Sequence, residues 1–163
     1  MIFPIADQGG KIIAFGARTL EPDGKPKYLN SSDSQLFHKG RTLYRYMPAR
    51  EALAALNGPK AEDSPLARGL IVTEGYVDAI SLAEAGIGTA VAPLGTALTE
   101  EQLELLWRAG PEPILCFDGD AAGINAARRA CDRALPLIEP GKTLFFVMLP
   151  DGMDPDDVVR VRG

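Results

Sequence analysis

The chain has 163 residues, enough for one compact domain with a smaller lobe, and its 46% hydrophobic content is ordinary for a globular protein. No apolar run approaches the roughly 18 residues of a membrane-spanning helix, and the start lacks the features of a secretion signal, which favours a cytoplasmic protein with no membrane partner. Two cysteines and one histidine are too few for a structural zinc site, so Cys116 and Cys131 are interpreted as reduced packing residues.

The net charge of −5 conceals an uneven distribution of charge along the chain. Residues 1–50 hold eight Lys and Arg against four Asp and Glu, whereas residues 51–163 hold nine against eighteen. Such asymmetry suggests a first part that attracts anions and a second part that gathers carboxylates. Two ordinary solvated surfaces are the alternative at this point.

Residues 1–56 are predicted to form a small, β-rich N-terminal lobe. The segment "KIIAFGAR" is a strand-like apolar run, "EPDGKPK" carries turn signals, and "MPAREALAAL" has the pattern of a helix with Pro48 in its first turn. Gly, Pro and charged residues then crowd residues 57–67, which favours a connection there.

Strands and helices alternate in residues 68–163. Apolar strands are predicted in "GLIVTEG", "TAVAPLG", "PILCFDGD" and "KTLFFVMLP", each followed by a helical pattern, with Thr99 and Asp154 as helix N-caps. This alternation indicates an α/β fold with a mostly parallel sheet flanked by helices. Ligands of such sheets bind beyond the carboxyl ends of the strands.

Carboxylates follow three of the four predicted strands. Glu74 ends the first strand with Asp78 one helical turn later, and Asp118 and Asp120 end the third. The fourth strand is followed by Asp151, Asp154, Asp156 and Asp157. So many like charges need a counter-charge, which a hard divalent cation such as Mg²⁺ provides. Two such ions would stabilise the attacking and leaving oxygens of a displacement at phosphorus.

Each acid taken alone has a simpler explanation. An Asp-x-Asp after a strand also occurs in haloacid-dehalogenase-like phosphatases and in sugar-nucleotide transferases. Asp154 is most simply a helix N-cap, and Glu74 could be a structural acid. Their expected convergence at one edge of the sheet is what favours a metal site.

Three segments, "IVTEGYVDAISLAEAG", "ILCFDGDAAG" and "LPDGMDPDD", resemble the Toprim domain shared by bacterial primases, topoisomerases and related nucleases. The family pattern of a Glu after the first strand and an Asp-x-Asp after a later one matches Glu74, Asp118 and Asp120. The segments "PKYLNS", "LFHKGR" and "AVAPLGTALT" resemble the RNA polymerase core of bacterial DnaG-type primases. The resemblance covers essentially the whole chain and implies a Toprim fold over residues 68–163.

The resemblance implies a catalytic trio of Glu74, Asp118 and Asp120. It implies that two or more Mg²⁺ or Mn²⁺ ions are held by these three residues together with Asp78, Asp154 and Asp156. Whether Glu74 binds metal or assists proton transfer is left open.

The resemblance also implies a basic groove for the template strand or the incoming nucleotide, lined by Arg18, Lys27 and Lys39, with Asn30 as a polar contact. Lys and Arg bind phosphate by charge, and Arg adds forked hydrogen bonds. For Tyr28, stacking on a base is weighed against ordinary packing. For His38, a contact to phosphate is weighed against a local hydrogen bond to the backbone.

Primases of this family make short RNA primers on single-stranded DNA from nucleoside triphosphates, and full-length members bind the replicative helicase through a further domain. Because the resemblance is to part of a primase, we expect a fragment that binds metal and nucleotide but makes primer weakly or not at all. Two alternatives remain. One is phosphodiester chemistry of the Toprim nuclease or topoisomerase type, and the other is a non-catalytic nucleotide-binding module.

Overall fold

A computed structural model describes residues 1–21, 23–58 and 64–162. Within these ranges the chain forms two β-sheets, one antiparallel with three strands and one parallel with four. The α/β fold class predicted from the alternation of elements is confirmed.

The antiparallel sheet belongs to the N-terminal lobe. Its strands are β1 (Ile2–Ala6), β2 (Ile12–Arg18) and β3 (Tyr28–Asn30), in that spatial order, and helix α1 (Tyr46–Leu56) follows. Phe3 and Ile5 of β1 are buried while Ile2 and Pro4 are exposed, as expected for a sheet with one covered face. The sequence patterns identified β2 but not β1, where Pro4 obscures the alternation and is tolerated because β1 is an edge strand.

The parallel sheet has the spatial order β5-β4-β6-β7. Its strands are β4 (Ile71–Val72), β5 (Ala90–Val91), β6 (Ile114–Phe117) and β7 (Phe145–Met148). The helices that alternate with them are α2 (Tyr76–Glu84), α3 (Glu100–Ala109), α4 (Ala121–Ala134) and α5 (Pro155–Arg162). Thr99 accepts a hydrogen bond from the N–H of Gln102 at the start of α3, so its predicted role as N-cap is confirmed.

Two apolar clusters cover the parallel sheet. One packs α3 against the sheet through Leu103 and Leu106. The other joins the small sheet to α2, with Phe3 packed against Tyr44 and Tyr76 at ring-centroid distances of 6.2 and 5.2 Å. The N-terminal lobe is therefore fixed beside the first turn of α2, next to the carboxyl edge of the parallel sheet.

The two cysteines, both interpreted from sequence as packing residues, differ in burial. Cys116 is buried in the core, as predicted, but Cys131 is exposed on α4, which turns Ala130 and Ala134 inward instead. The interpretation of Cys131 as a packing residue is wrong.

Within the described ranges, no helix combines the length and the apolar character needed to cross a bilayer.

The division of the chain at residues 57–67 stays a prediction. Residues 59–63 of that segment lie outside the described residues. Residues 65–67 form a short 3₁₀ turn, with Ser64 accepting a hydrogen bond from the N–H of Leu66.

Gln102 is a fully buried polar side chain on α3. Its Nε2 group donates to the carbonyl oxygens of Lys39 and Thr42 at 2.9 and 2.8 Å, and its Oε1 accepts from the N–H of Thr99 at 3.1 Å. This amide, together with the Thr99 hydroxyl that donates to the carbonyl of Gly40, fixes the turn at residues 39–41 against the start of α3.

Replacing Gln102 by Met should lower the free energy of unfolding by about 1–3 kcal/mol, because two part-buried hydrogen bonds to backbone carbonyls lose their donor. Urea denaturation measures the change. The control is Glu104→Met on the exposed face of α3, which should stay within about 0.5 kcal/mol of the parent. Equal losses for the two variants would show that the amide of Gln102 is dispensable.

Candidate metal centre and nucleotide cleft

Acidic side chains meet at the carboxyl edge of the parallel sheet. Glu74 follows β4 and Asp118 follows β6, its neighbour in the sheet, while Asp154 and Asp156 follow β7 beyond that. The backbone N–H of Asp118 donates to Oε1 of Glu74 at 3.2 Å. The structure therefore brings Glu74 and Asp118 into direct contact, as expected for adjacent parallel strands.

Three acids at this edge of the sheet also cap helices. Oδ2 of Asp78 accepts from the N–H of Gly75 at 3.1 Å, and Oδ1 of Asp120 accepts from the N–H of Gly123 at 2.8 Å. Oδ1 of Asp154 accepts from the N–H of Asp157 at 2.7 Å, so the predicted N-cap is confirmed. In each of these carboxyl groups, a backbone N–H at the positive end of a helix holds one oxygen. Capping does not use the second oxygen, which therefore stays available to a ligand.

The loops after β6 and β7 are joined by backbone hydrogen bonds at Gly119. Its N–H donates to the carbonyl of Met153 and its carbonyl accepts from the N–H of Gly152, both at 2.9 Å. A Cβ atom at Gly119 would overlap the carbonyl oxygen of Pro150. Only glycine lets the Asp-x-Asp turn lie this close to the loop that carries Asp154.

Neither Asp118 nor Asp78 forms an ion pair within the described fold, so their ionised forms have no counter-charge there. Burial, and then the charges of Glu74 and Asp154, raise the pKa of Asp118 to about 6. Burial, and then the charges of Asp154 and Asp118, raise the pKa of Asp78 to about 7. Oδ1 of Asp118 is buried without a hydrogen-bond partner among the described residues. An unpartnered carboxylate oxygen among like charges is a position where a cation would be stabilised.

A hard divalent cation fits these residues, because every available ligand is a carboxylate oxygen. The residues that would hold it are Glu74, Asp78, Asp118, Asp120 and Asp154. No three His, Cys, Asp or Glu side chains of the described ranges form a ready-made metal site. Mutual repulsion keeps unscreened carboxylates apart, so a bound cation would draw them together.

Asp156 is engaged differently from the other predicted ligands. Its Oδ1 accepts from the hydroxyl of Ser81 at 2.6 Å, and its Oδ2 lies 2.9 Å from Nη2 of Arg160. Sequence reasoning missed Arg160, although its spacing of four residues from Asp156 on a helix is a recognised signal for an ion pair. Binding of metal by Asp156 would require these contacts to be exchanged.

The acids form one side of a cleft of about 390 Å³. Across it the N-terminal lobe contributes Arg18, Lys27, Tyr28 and Asn30. The guanidinium of Arg18 and the ammonium of Lys27 lie 5.5 and 6.0 Å from the ring centroid of Tyr28, which is 39% exposed. Positive charge and an accessible aromatic face therefore stand opposite the carboxylates.

Asn30 holds the two lobes together within this cleft. Its Nδ2 donates to the carbonyl of Leu94 at 3.0 Å, and its Oδ1 accepts from the hydroxyl of Tyr76. Both ends of the amide are thus used inside the fold, so its predicted contact to nucleotide stays a prediction that would need one of these bonds to be shared.

Lys39 does not line the cleft, and its predicted phosphate contact also stays a prediction. Its N–H donates to Oδ1 of Asp33 at 3.2 Å in the turn fixed by Gln102. His38 pairs with the other oxygen of Asp33 at 3.2 Å, so its local hydrogen bond goes to a side chain rather than to the backbone.

Gly119→Ala should weaken Mn²⁺ binding by about tenfold or more, because the added methyl group separates the Asp-x-Asp turn from the loop after β7. Isothermal titration calorimetry measures the affinity. Gly9→Ala is the matched control, since its added Cβ would meet only the side chain of Asp7, at 3.3 Å or beyond. Unchanged Mn²⁺ affinity in Gly119→Ala would show that the junction of the two loops does not position the ligands.

Asp78→Asn should stabilise the metal-free protein at about pH 8 by on the order of 1–2 kcal/mol after solvent screening, or about 2–4 °C in Tm per kcal/mol. Its pKa of about 7 exceeds the ordinary 3.8, so the fold binds more protons than the unfolded chain between these values. The free energy of unfolding of the parent therefore falls as pH rises through this window, and the gain from Asn should vanish near pH 4.

Thermal unfolding of Asp78→Asn in EDTA across that pH range provides the measurement, with Asp132→Asn, an exposed acid of α4, as the control. In saturating Mg²⁺ the order should reverse, because the cation stabilises the parent more than the variant. A gain that persists unchanged at pH 4 would contradict the electrostatic explanation.

Comparison with known proteins covers both lobes. Residues 71–159 match the family model described as Toprim-like, and residues 1–50 match that of the DNA primase catalytic core, N-terminal domain. The DNA primase of Pasteurella multocida (strain Pm70) is 50% identical over 163 residues, which are 100% of this chain and 26% of that protein.

Solved structures agree with the fold described above. The crystal structure of a DNA primase domain from Pseudomonas aeruginosa matches with a TM-score of 0.88 and 47% identity, over 99% of this chain and 47% of that one. The structure of a DnaG primase catalytic domain bound to single-stranded DNA gives a TM-score of 0.82 and 46% identity, over 99% and 48% of the two chains.

The chain thus spans about a quarter of the curated relative and about half of the solved chains. Over its whole length it is homologous to the catalytic core of bacterial DnaG-type DNA primases. The Toprim model alone accounts for more than half of its residues, and on that basis the chain belongs to the Toprim-like family.

Proposed function

We propose that the chain carries the active site of a bacterial DNA primase, which makes short RNA primers on single-stranded DNA for replication. The observation that carries the proposal is one cleft with converging carboxylates on one side and Arg18 and Lys27 on the other. The similarity to a DnaG catalytic domain bound to single-stranded DNA supports the choice of template.

The reaction joins two nucleotides. The 3′-hydroxyl of one ribonucleotide attacks the α-phosphate of a nucleoside triphosphate, and pyrophosphate leaves. Two or more Mg²⁺ or Mn²⁺ ions, when bound, supply charge stabilisation for the attacking and leaving oxygens. The metal ligands at the ends of β4 and β6 would be Glu74, Asp118 and Asp120. Asp78 and Asp154 would complete the set of oxygen ligands.

The opposite side of the cleft binds the anionic reactants. Arg18 and Lys27 attract and orient phosphate groups of the nucleotide or the template. Tyr28 lies between these cations with part of its ring accessible, so it offers a surface on which a base can stack. Within a longer protein we expect this site to act at the replication fork in the bacterial cytoplasm, with the replicative helicase as a partner.

Topoisomerase-type chemistry needs an accessible tyrosine nucleophile. Tyr44, Tyr46 and Tyr76 are buried, and burial raises the pKa of each hydroxyl. Tyr28 is the more exposed tyrosine, but its ring packs beside Arg18 and Lys27 in the N-terminal lobe. Among the described tyrosines, cleavage chemistry would therefore depend on Tyr28, and a DNA-nicking assay with Mg²⁺ separates it from primer synthesis.

Asp118→Asn should reduce Mn²⁺-dependent ATP binding by about 100-fold or more. The reason is that Asp118, a proposed metal ligand in the middle of the acidic edge, loses its negative charge. Titration calorimetry with ATP, with and without Mn²⁺, measures binding, and incorporation of labelled ribonucleotides on a single-stranded template measures primer synthesis. Asp132→Asn carries the same charge change on the exposed face of α4 and should bind normally.

Unaltered metal affinity in a folded Asp118→Asn variant would rule out the proposed site. Because the fragment itself is expected to make primer weakly or not at all, the incorporation assay decides only in a longer protein that contains this chain. Metal-dependent ATP binding without any incorporation there would favour a nucleotide-binding module. Nicking of DNA without incorporation would favour the nuclease alternative.

A further inference from the structure

A second cavity of about 260 Å³ borders Glu74 on the side of α4. It lies between that helix and the loop after β5, residues 93–98. Glu74, Pro93 and Gly95 line both this cavity and the cleft, but the cations here are Arg129 and Arg133. The acidic centre is therefore bordered by two separate sets of basic side chains.

Arg129 has a charge that the described fold does not use. It is exposed and forms no hydrogen bond or ion pair with another described residue. Arg129 and Glu74 both line this cavity, so the cation lies on the α4 side of the acid that also borders the cleft. An Arg without an acceptor beside a metal-binding edge is available to a ligand.

Arg133 and the loop add further donors. Nη1 of Arg133 donates to the carbonyl of Leu98 at 2.5 Å, which ties the loop to α4 and leaves the other guanidinium N–H groups without a described acceptor. The backbone N–H groups of Gly95, Thr96 and Ala97 donate to no described residue, and all three residues are exposed. Gly95 has a φ of +75°, a conformation that favours glycine.

We propose that this cavity is a phosphate-binding subsite, in which Arg129 and Arg133 and the N–H groups of residues 95–97 hold a phosphate group on the α4 side of Glu74. Forked guanidinium donors and free backbone N–H groups are the partners that phosphate oxygens accept from. The inference deepens the proposed function and rests on it for the identity of the ligand.

Nucleotidyl transfer supplies the reason for a second subsite. Two phosphate-bearing reactants meet at one acidic centre, and each must be held against repulsion by the carboxylates. Arg18 and Lys27 of the N-terminal lobe bind the phosphates of one reactant, whereas Arg129 of α4 binds a phosphate of the other. The ligand is either the triphosphate of a nucleotide or a backbone phosphate of a nucleic acid strand.

The test compares Arg129→Gln and Arg129→Lys with Arg128→Gln. Arg128 is the adjacent residue of α4, exposed and absent from the cavity lining, so its variant carries the same charge change. The probes are pyrophosphate, ATP with Mn²⁺, and a single-stranded oligodeoxynucleotide. Arg129→Gln should weaken at least one probe by about tenfold, Arg129→Lys by less, and Arg128→Gln by under about twofold.

The pattern among the probes identifies the source of the phosphate. Weakened pyrophosphate and ATP binding with unchanged oligonucleotide binding assigns the triphosphate. Weakened oligonucleotide binding, with a salt slope reduced by about one, assigns a backbone phosphate. Weakening of all probes also supports the subsite, as one that either source can occupy.

The inference is overturned if Arg129→Gln and Arg128→Gln behave alike, or if the parent binds none of the probes. Thermal unfolding establishes that each variant is folded, and Arg129→Lys provides a second substitution should Gln disturb the helix. ATP binding that depends on Asp118 but not on Arg129 would remove the subsite and keep the proposed function. Phosphate binding that depends on Arg129 but not on Asp118 would keep the subsite and remove the proposed function.

Discussion

Repulsion among carboxylates held at neighbouring strand ends is the constraint to which the rest of the structure responds. Asp78 and Asp118 have pKa values raised to about 7 and 6 because burial and nearby acids disfavour their ionised forms. The fold opposes this repulsion locally, by hydrogen bonds from backbone N–H groups to Glu74, Asp78, Asp120 and Asp154. The repulsion that remains lowers the stability of this edge of the sheet, while the fold keeps the oxygen ligands close together, as is common at functional sites.

The opposite side of the cleft is positioned by apolar packing rather than by ion pairs. Phe3 packs on Tyr44 and Tyr76, and Asn30 bonds both Tyr76 and the loop after β5. Within the described ranges, neither Arg18 nor Lys27 forms a salt bridge with the acids across the cleft. Charges of opposite sign are thus held apart by the core, which leaves room between them for an anionic ligand and its cations.

The parts of this arrangement that sequence could predict are those that depend on local order along the chain. Strand and helix alternation predicts a parallel sheet, and acids that follow its strands must then share one edge, which is why convergence of Glu74 and Asp118 was expected. Their direct contact depends on β4 lying next to β6, and alternation alone does not predict that strand order. Helix caps such as Asp154 follow from residue type and position. The roles of these residues toward metal and nucleotide remain predictions.

Features that depend on tertiary packing were not predictable in the same way. Ser81 and Asp156 are 75 positions apart, and their bond exists because α2 lies against α5. Whether Cys131 faces inward depends on which stripe of α4 meets the sheet, and the placement of Lys39 depends on the buried amide of Gln102. The two hydrogen bonds at Gly119 have a mechanical consequence: the loop after β7 resists displacement of the turn after β6. The separation between Asp118 and Asp154 is therefore set by the backbone as well as by the rotamers of the two side chains.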